Sequence, residues 1–274
     1  MPHNLRTIQA ANSGPLLHLV DPDPDGPASA SIPGFAQLKG SILRIERGAV
    51  IVAQGDPADY CYVIVVGCVR TVGLMQDGRR QIGEFLVPGD LFGWEALDEY
   101  GFGAEAVTRA TLRRYTCRSL ENFARQDQGF ATRFRALAAS TLRQREGHLF
   151  LLGRMTASER IAGFLLQMAD RISGAASIRI ELPMSRADIA DYLGLTTETV
   201  CRGLTEMQRQ GVIAIDRGQI MIRNRGALRA RCAASPCSAA ALSTLASVPR
   251  SPKTHPTGRQ PLPEVFAETA KGDP

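Results

Sequence analysis

The residues with the clearest chemical pattern lie on a helix that the sequence predicts from about residue 197 to residue 210. Glu198 and Arg202 are four residues apart and therefore share one helix face. A guanidinium suits the O6 and N7 acceptors of guanine, and a carboxylate suits the amino group of cytosine. With Thr197 and Cys201 beside them, these side chains predict a surface that reads base edges, the alternative being an exposed ion pair of small value.

A second set of side chains suits the phosphates that flank such bases. Helix N-termini, hydroxyl groups and arginines bind phosphate oxygens because they offer hydrogen-bond donors and positive potential. The residues of this kind around the predicted helix are Ser185, Arg186, Thr196, Thr199 and Arg217. They predict the contacts that would hold the base-reading helix in register on a duplex.

Local end signals predict the elements that would position these residues. Ser185-Arg-Ala-Asp188 is a capping box that begins a short helix, and Gly194 ends that helix. Thr196 caps the following helix, after which two apolar segments flank Asp216-Arg-Gly218 as a hairpin. A helix, a tight turn, a second helix and a two-stranded hairpin predict a winged helix-turn-helix.

Residues 40–120 have the pattern of an antiparallel β domain. Short apolar runs alternate there with glycine-containing turns. Asp77-Gly78, between two alternating runs, is a strong hairpin signal. We therefore expect a sandwich or a small barrel in this part of the chain.

A long helix is predicted between these two regions, from about residue 130 to residue 155. This stretch contains no proline, and its mostly apolar residues recur at alternating spacings of three and four. Such a seam suits a coiled-coil contact with a second copy of the chain, the alternative being that it packs on its own domain. The seam consists of Phe134, Leu137, Thr141, Gln144, His148, Leu151 and Met155.

Composition excludes several classes of protein. The 274 residues are 44% apolar and 22% charged, and no apolar stretch is long enough to span a membrane. The net charge of +5 permits nucleic-acid binding without requiring it. The N-terminus lacks an apolar signal segment, so we expect a cytoplasmic protein whose six cysteines are thiols. No nucleophile–base pair, phosphate-binding glycine loop or set of four metal ligands indicates an enzyme.

The segment from Leu182 to Arg202, with Pro88-Gly-Asp-Leu-Phe-Gly93 upstream, closely resembles the CRP/FNR family of bacterial transcription regulators, and within it the FixK branch. The resemblance covers about residues 40–226 and implies an α+β fold. It implies a homodimeric regulator, with activation favoured, that binds a palindromic promoter element and contacts RNA polymerase. The expected division is a disordered extension at 1–33, a β-roll at 34–127, a dimerisation helix at 128–152, a winged helix-turn-helix at 153–226 and a disordered tail at 227–274.

Differences within the family predict the DNA half-site. FNR-type recognition helices carry Glu-x-x-Ser-Arg, and this chain carries Glu198-Thr-Val-Cys-Arg202. CRP-type helices carry an arginine immediately before the glutamate, where this chain has Thr197. Because that arginine would read a guanine, its absence favours TTGAT-N4-ATCAA or a close variant.

The resemblance also bears on effectors of the β-roll. Cyclic-nucleotide binders of the family hold the phosphate with a Gly-Glu segment and a following Arg-Ser or Arg-Thr pair. Here the region from Gly93-Trp-Glu95 to Gly103-Ala-Glu105 places an acidic residue where that arginine would be. FNR-type iron–sulfur clusters need grouped N-terminal cysteines, and none precedes Cys61. We therefore expect no cofactor, the alternative being an effector-gated regulator whose β-roll binds a cyclic nucleotide or another small ligand.

The cysteines carry two different expectations. Cys201 replaces the serine of the FNR-type helix, and its oxidation would place negative charge where DNA approaches. The sequence thus predicts a regulator inhibited by peroxide, the alternative being that Cys201 is only a compact substitute for serine. Cys61, Cys68 and Cys117 lie in or beside predicted strands and are expected to be structural thiols.

Overall fold

The computed structural model describes residues 18–20, 35–96, 98–173, 179–216 and 219–233, and its fold is α+β. An antiparallel β-roll comprises a sheet in the order β1-β2-β9-β4-β7 and a sheet in the order β3-β8-β5-β6. The predicted β domain is therefore confirmed. Its strands are β1 (His18–Val20), β2 (Ser41–Ile45), β3 (Val50–Val52), β4 (Tyr60–Val66), β5 (Val69–Leu74), β6 (Arg80–Leu86), β7 (Leu91–Phe92), β8 (Gly103–Ala106) and β9 (Ala110–Thr116).

The turn between β5 and β6 follows from its residues. Gly78 has a φ of +83°, which glycine adopts without the clash that a Cβ would cause. The Asp77 carboxylate accepts a hydrogen bond from the Arg79 backbone N–H at 3.1 Å, and this side-chain contact stabilises the turn. The pairing of Leu74 with Arg80 sets the register of the two strands, and the Asp77-Gly78 hairpin is confirmed.

Two helices follow the β-roll, α1 (Cys117–Gln126) and α2 (Gln128–Arg154). The long helix α2 confirms the sequence prediction, whereas α1 was not predicted. Asp127 separates the two helices and caps α2 by accepting a hydrogen bond from the Phe130 N–H at 2.9 Å. A cluster of rings anchors the first turns of α2 to the β-roll: Phe35, Trp94, Tyr115, Phe123, Phe130 and Phe134.

Part of the predicted dimer seam of α2 packs on its own chain. His148 stacks on Tyr192 with ring centroids 4.2 Å apart, and Leu151 is buried in the C-terminal core. Met155 is buried in the same core, Phe134 and Leu137 pack against the core of the β-roll, and Thr141 and Gln144 are half-buried. Five of the seven seam residues keep exposed surface in the single chain, so their contact with a second copy stays a prediction.

A different stripe of α2 is exposed. Leu142 and Leu149 are seven residues apart and 60% and 69% exposed, and Phe150 beside them is 48% exposed. Their spacing places the two leucines on one helix face. None of the described helices, α2 included, is long and apolar enough to cross a membrane.

The C-terminal part is the predicted winged helix-turn-helix with two additions. Strand β10 joins the hairpin to give a sheet in the order β10-β12-β11. Helix α6 occupies residues expected to be disordered, because Leu228 and Cys232 are buried against the domain core, and β1 likewise falls in the expected N-terminal disorder. The elements are α3 (Ala157–Met168), a π-helical turn (Ala169–Ser173), β10 (Arg179–Glu181), α4 (Arg186–Leu193), α5 (Thr197–Arg209), β11 (Ile213–Asp216), β12 (Gln219–Ile222) and α6 (Arg225–Ala233).

Candidate nucleic-acid interface

Helix α5 presents the predicted base-reading residues on one exposed face. Val200, Leu204 and Met207 are buried and hold the opposite face against the domain. The four predicted residues are all exposed: Thr197, Glu198, Cys201 and Arg202. Since they occupy the first turns of the helix, they lie where recognition helices contact bases.

The charged pair on this face is held weakly. The Arg202 guanidinium lies 3.6 Å from the Glu198 carboxylate, and the two side chains are 71% and 76% exposed. Water screens an ion pair of this kind, so the pair contributes little to stability. Both side chains can therefore leave this ion pair and form hydrogen bonds with a bound molecule instead.

The start of α5 brings two hydroxyl groups together. The Thr196 hydroxyl accepts a hydrogen bond from the Thr199 N–H at 3.1 Å, and the two side-chain oxygens are 2.8 Å apart. This N-cap satisfies one helix-end donor and leaves others directed outward, as an anion site requires. The capping prediction for Thr196 is confirmed.

Close packing at glycine positions α5 within the domain. A Cβ on Gly203 would lie 2.4 Å from Ile161 Cδ1, so the absence of a side chain lets α5 approach α3. Gly194 ends α4 in the left-handed conformation, with φ of 60° and ψ of 43°, as the sequence predicted. These two glycines set the distance and angle of α5 relative to the helices beneath it.

The start of α4 holds the second predicted group. The Ser185 hydroxyl accepts from the Asp188 N–H at 3.1 Å, and the Asp188 carboxylate accepts from the Ser185 N–H at 3.1 Å. Both halves of the predicted capping box are present. Ser185 is exposed and Arg186 is half-buried, whereas Arg217 lies outside the described residues.

Asp188 also joins the winged helix to the β-roll. Arg70 of β5 donates to its carboxylate at 2.7 Å, and Arg80 of β6 donates to the same oxygen at 2.9 Å. Arg80 further contacts Asp191 at 2.6 Å, and Arg70 contacts Glu105 at 2.6 Å. We call these five residues the interdomain clasp.

The charges of the clasp control the protonation of Asp188. Burial raises the pKa of this carboxyl, but hydrogen bonds from Ser185 and the charges of Arg70 and Arg80 more than offset it. The net pKa lies below the ordinary value, so the carboxylate form is favoured. Glu105, the acidic residue noted in the sequence, has its charge engaged by Arg70.

Arg160 of α3 is a positioning residue that the sequence analysis missed. Its guanidinium donates to the carbonyl oxygens of Leu152 at 2.7 Å and Met155 at 2.9 Å, at the end of α2. It also donates to the carbonyl of Leu193 at 2.9 Å, at the end of α4. A cation at two helix C-termini satisfies carbonyls that the helices leave unpaired, and so it ties three helices together.

Two titratable groups are half-buried between the domains. Burial raises the pKa of Glu84 to about 7, although Arg171 lies 3.9 Å away and acts in the opposite direction. Burial lowers the pKa of His148 to about 4, and the positive charge of Arg160 adds to that shift. A cavity of about 610 Å³ lies near this junction, between the β-roll and β10, with Cys68 and Arg171 in its wall.

The described cysteines fall into different environments. Cys61, Cys68 and Cys232 are buried, Cys117 is half-buried and Cys201 is exposed. Burial raises the pKa of Cys68 to about 12, which fits the structural role expected for it. Among the described residues, no group of three or more histidine, cysteine, aspartate or glutamate side chains could hold a metal ion.

Two family models match the chain in the two regions just described. A cyclic nucleotide-binding domain matches residues 42–127, and a Crp-like helix-turn-helix domain matches residues 159–231. The first match spans β2 to α1, and the second spans α3 to most of α6. The exposed face of α5 therefore lies within the matched helix-turn-helix region.

Full-length relatives match over both regions together. The nitrogen fixation regulation protein FixK of Rhizobium meliloti (strain 1021) is 40% identical over 208 residues, which are 76% of this chain and 92% of that protein. FixK of Azorhizobium caulinodans is 44% identical over 188 residues, which are 67% of this chain and 75% of that protein. The structure of FixK2 from Bradyrhizobium japonicum aligns with a TM-score of 0.67 at 42% identity, covering 70% of this chain and 97% of that chain.

Proposed function

Because the chain belongs to the CRP/FNR family of transcription regulators, we propose that it is a FixK-type homodimeric activator of a TTGAT-N4-ATCAA-like palindrome. That it is a DNA-binding regulator follows from the family. The proposal comprises four further points: the palindrome, the dimer, the activation through RNA polymerase and a cytoplasmic location. The carrying observation is the exposed Glu198 and Arg202 pair on the first turns of α5.

Base reading is assigned to this pair and its neighbours. Arg202 is proposed to contact the half-site guanine, and Glu198 to accept from a base amino group, with Thr197 and Cys201 beside them. Because Thr197 is too short to reach a guanine as an arginine would, the first position of the half-site is proposed as T rather than G. Phosphate contacts are assigned to Ser185, Arg186, Thr196, Thr199 and Arg217.

Substitution of one arginine from each group tests the assignment. Arg202→Ala should remove discrimination at the half-site guanine, a loss of about 1–3 kcal/mol on the matched site alone. Arg186→Ala should weaken binding to all sequences and reduce the salt dependence by about one charge. Gel-shift titrations on matched and single-substituted palindromes measure both, and an equal loss for Arg202→Ala on every site would refute the base-reading role.

The dimer is assigned to the exposed stripe of α2. A second copy fits this stripe because Leu142 and Leu149 repeat at heptad spacing and an inverted-repeat site requires a twofold partner. Leu149→Glu should yield a folded monomer with much weaker operator binding. Leu151→Glu is the matched control, since that side chain is buried in its own chain and its replacement should unfold the domain. A monomeric wild type in sedimentation at micromolar concentration would refute the dimer.

Binding without a cyclic nucleotide is supported by the β-roll. Glu105 occupies the position proposed for the phosphate-binding arginine and is already paired with Arg70 at 2.6 Å. A carboxylate there opposes a phosphate. Operator affinity should therefore be unchanged by cyclic AMP, and an increase on its addition would favour the effector-gated alternative.

Oxidation of Cys201 is proposed to tune DNA binding. The thiol is exposed and adjacent to Arg202, so a sulfinate or sulfonate would repel DNA and attract the guanidinium. Peroxide should weaken operator binding of the wild type and leave Cys201→Ser unaffected. An equal loss of affinity in both proteins would mean that oxidation of another cysteine causes the effect.

A further inference from the structure

Two thiols meet where the β-roll passes into α1. Cys61 lies on β4 opposite Tyr115 of β9, and Cys117 follows two residues later as the first residue of α1. The two cysteines belong to one cluster of packed side chains, in which Cys61 is buried and Cys117 packs against the buried residues. Alternate residues of a strand share one face, so the register explains why these two side chains come together.

We propose that Cys61 and Cys117 are a peroxide-sensitive dithiol that closes to a disulfide, with Cys117 as the attacked thiol and Cys61 as the resolving thiol. This site differs from the exposed Cys201 in the DNA interface and acts independently of it. It also revises the expectation that both thiols serve only the structure. Cys68, which lies elsewhere in the β-roll, keeps that expectation.

Accessibility assigns the two roles. Cys117 is half-buried, whereas Cys61 is 0% exposed, so Cys117 is the more accessible of the two thiols. The Cys117 sulfur also lies 3.9 Å from the carbonyl oxygen of Gly93. A resolving thiol needs no solvent access, since it reacts only with the neighbouring sulfur.

The electrostatics of the pair favour the same roles. The interaction between the two thiols lowers the pKa of Cys117 and raises the pKa of Cys61. Partial burial and the carboxylates of Glu121, Asp59 and Glu95 act against the shift at Cys117 without reversing it. The N-terminal position of Cys117 on α1 adds positive potential from the helix backbone.

The reaction balances with peroxide as the oxidant. The Cys117 thiolate attacks the peroxide, an S–O bond forms, the O–O bond breaks and hydroxide leaves, so that sulfur is oxidised by two electrons. The Cys61 sulfur then attacks the sulfenic sulfur, an S–S bond forms, the S–O bond breaks, and hydroxide takes the Cys61 proton to leave as water. Two thiols and one peroxide thus give one disulfide and two waters.

Peptide mapping of the full-length chain tests the proposal. Trypsin places Cys117 in peptide 115–118, Cys61 and Cys68 together in peptide 48–70, and Cys201 in peptide 187–202. After treatment with hydrogen peroxide and alkylation of free thiols, peptides 48–70 and 115–118 should be joined, and dithiothreitol should separate them. The join should persist in Cys68→Ser, the matched control, and disappear in Cys61→Ser.

The single variants separate the two roles. Cys61→Ser should accumulate a dimedone-reactive sulfenic acid at Cys117, and Cys117→Ser should leave Cys61 reduced. The wild-type map decides the proposal even if a variant fails to fold. Cys117 recovered free or as sulfinic acid with no joined peptide, a join through Cys68, or a join between two chains would each overturn it.

Discussion

Replacement of Asp188 by alanine should loosen the winged helix from the β-roll. One carboxylate oxygen accepts from Arg70 and Arg80, and the other accepts from Ser185 at the start of α4. The substitution therefore removes the capping box and the centre of the interdomain clasp at once. We expect lower stability of the winged helix together with lower operator affinity.

The magnitude follows from what each partner retains. Loss of the helix cap costs about 1 kcal/mol. The two arginine contacts add about 0.5–1 kcal/mol each, below the usual value for charged hydrogen bonds. The discount reflects that Arg70 keeps Glu105, that Arg80 keeps Asp191, and that these arginine side chains are 17% and 33% exposed. The total of about 2–3 kcal/mol is a 30- to 150-fold shift in the unfolding equilibrium.

Urea unfolding separates the two domains. The only tryptophan of the chain, Trp94, packs on Phe134 and reports the β-roll and the start of α2, while circular dichroism at 222 nm reports the helices. The helical transition of Asp188→Ala should move to lower urea and precede the fluorescence transition. Because the pKa of Asp188 is depressed in the fold, its contribution is present above the ordinary value near 3.8 and disappears as pH falls through the folded pKa.

Asp191→Ala is the matched control for this prediction. It removes one contact with Arg80 and no helix cap, so it should cost no more than about 1 kcal/mol. An Asp188→Ala loss equal to that of Asp191→Ala would refute the reasoning. A double-mutant cycle with Arg70→Met should give a coupling energy above zero. An additive result would mean that the contact between Arg70 and Asp188 does not stabilise the protein.

Three further substitutions test other contacts of the same junction. Arg160→Met should lower stability by about 2–4 kcal/mol in thermal unfolding, because three helix-end carbonyls lose a charged donor. Glu84→Gln should stabilise the protein by about 1–3 kcal/mol at pH 8 and have no effect near pH 4, since a raised folded pKa makes stability fall as pH rises from 4.5 through 7. His148→Phe should keep the stack on Tyr192. Its stabilising effect relative to wild type should be about 2 kcal/mol larger at pH 5 than at pH 7, because the lowered folded pKa of His148 makes the wild type less stable as pH falls below 6.5. Urea midpoints across pH measure the last two, and parallel pH profiles of wild type and variant would contradict them.

Features set by neighbouring residues were predictable from the sequence. The Ser185–Asp188 capping box, the left-handed Gly194 and the Asp77-Gly78 hairpin depend on residues within one or two turns of chain. The exposed face of α5 was predictable for the same reason, because helical spacing alone places Glu198 and Arg202 together.

Features set by distant residues were not predictable. The clasp joins Arg70 to a carboxylate 118 positions later, and no local pattern encodes that pairing. Helix α6 follows a similar rule, since Leu228 and Cys232 gain their order from burial in the domain core rather than from strong helix signals. Helix α1 begins directly at the end of β9, with no glycine or proline to mark the change from strand to helix.

Helix α2 combines both cases. Near its start it packs on the β-roll through Phe130 and Phe134, and near its end it packs on the winged helix through His148 and Leu151. A single apolar periodicity therefore serves two different domains of the same chain. Residues two positions apart on an α-helix point about 200° apart. Leu149 lies two positions before the buried Leu151 and is therefore directed away from both domains. The face available to the proposed second copy includes the one that the two domains do not use, and a helix that packs on both domains places any shift of the β-roll next to the winged helix.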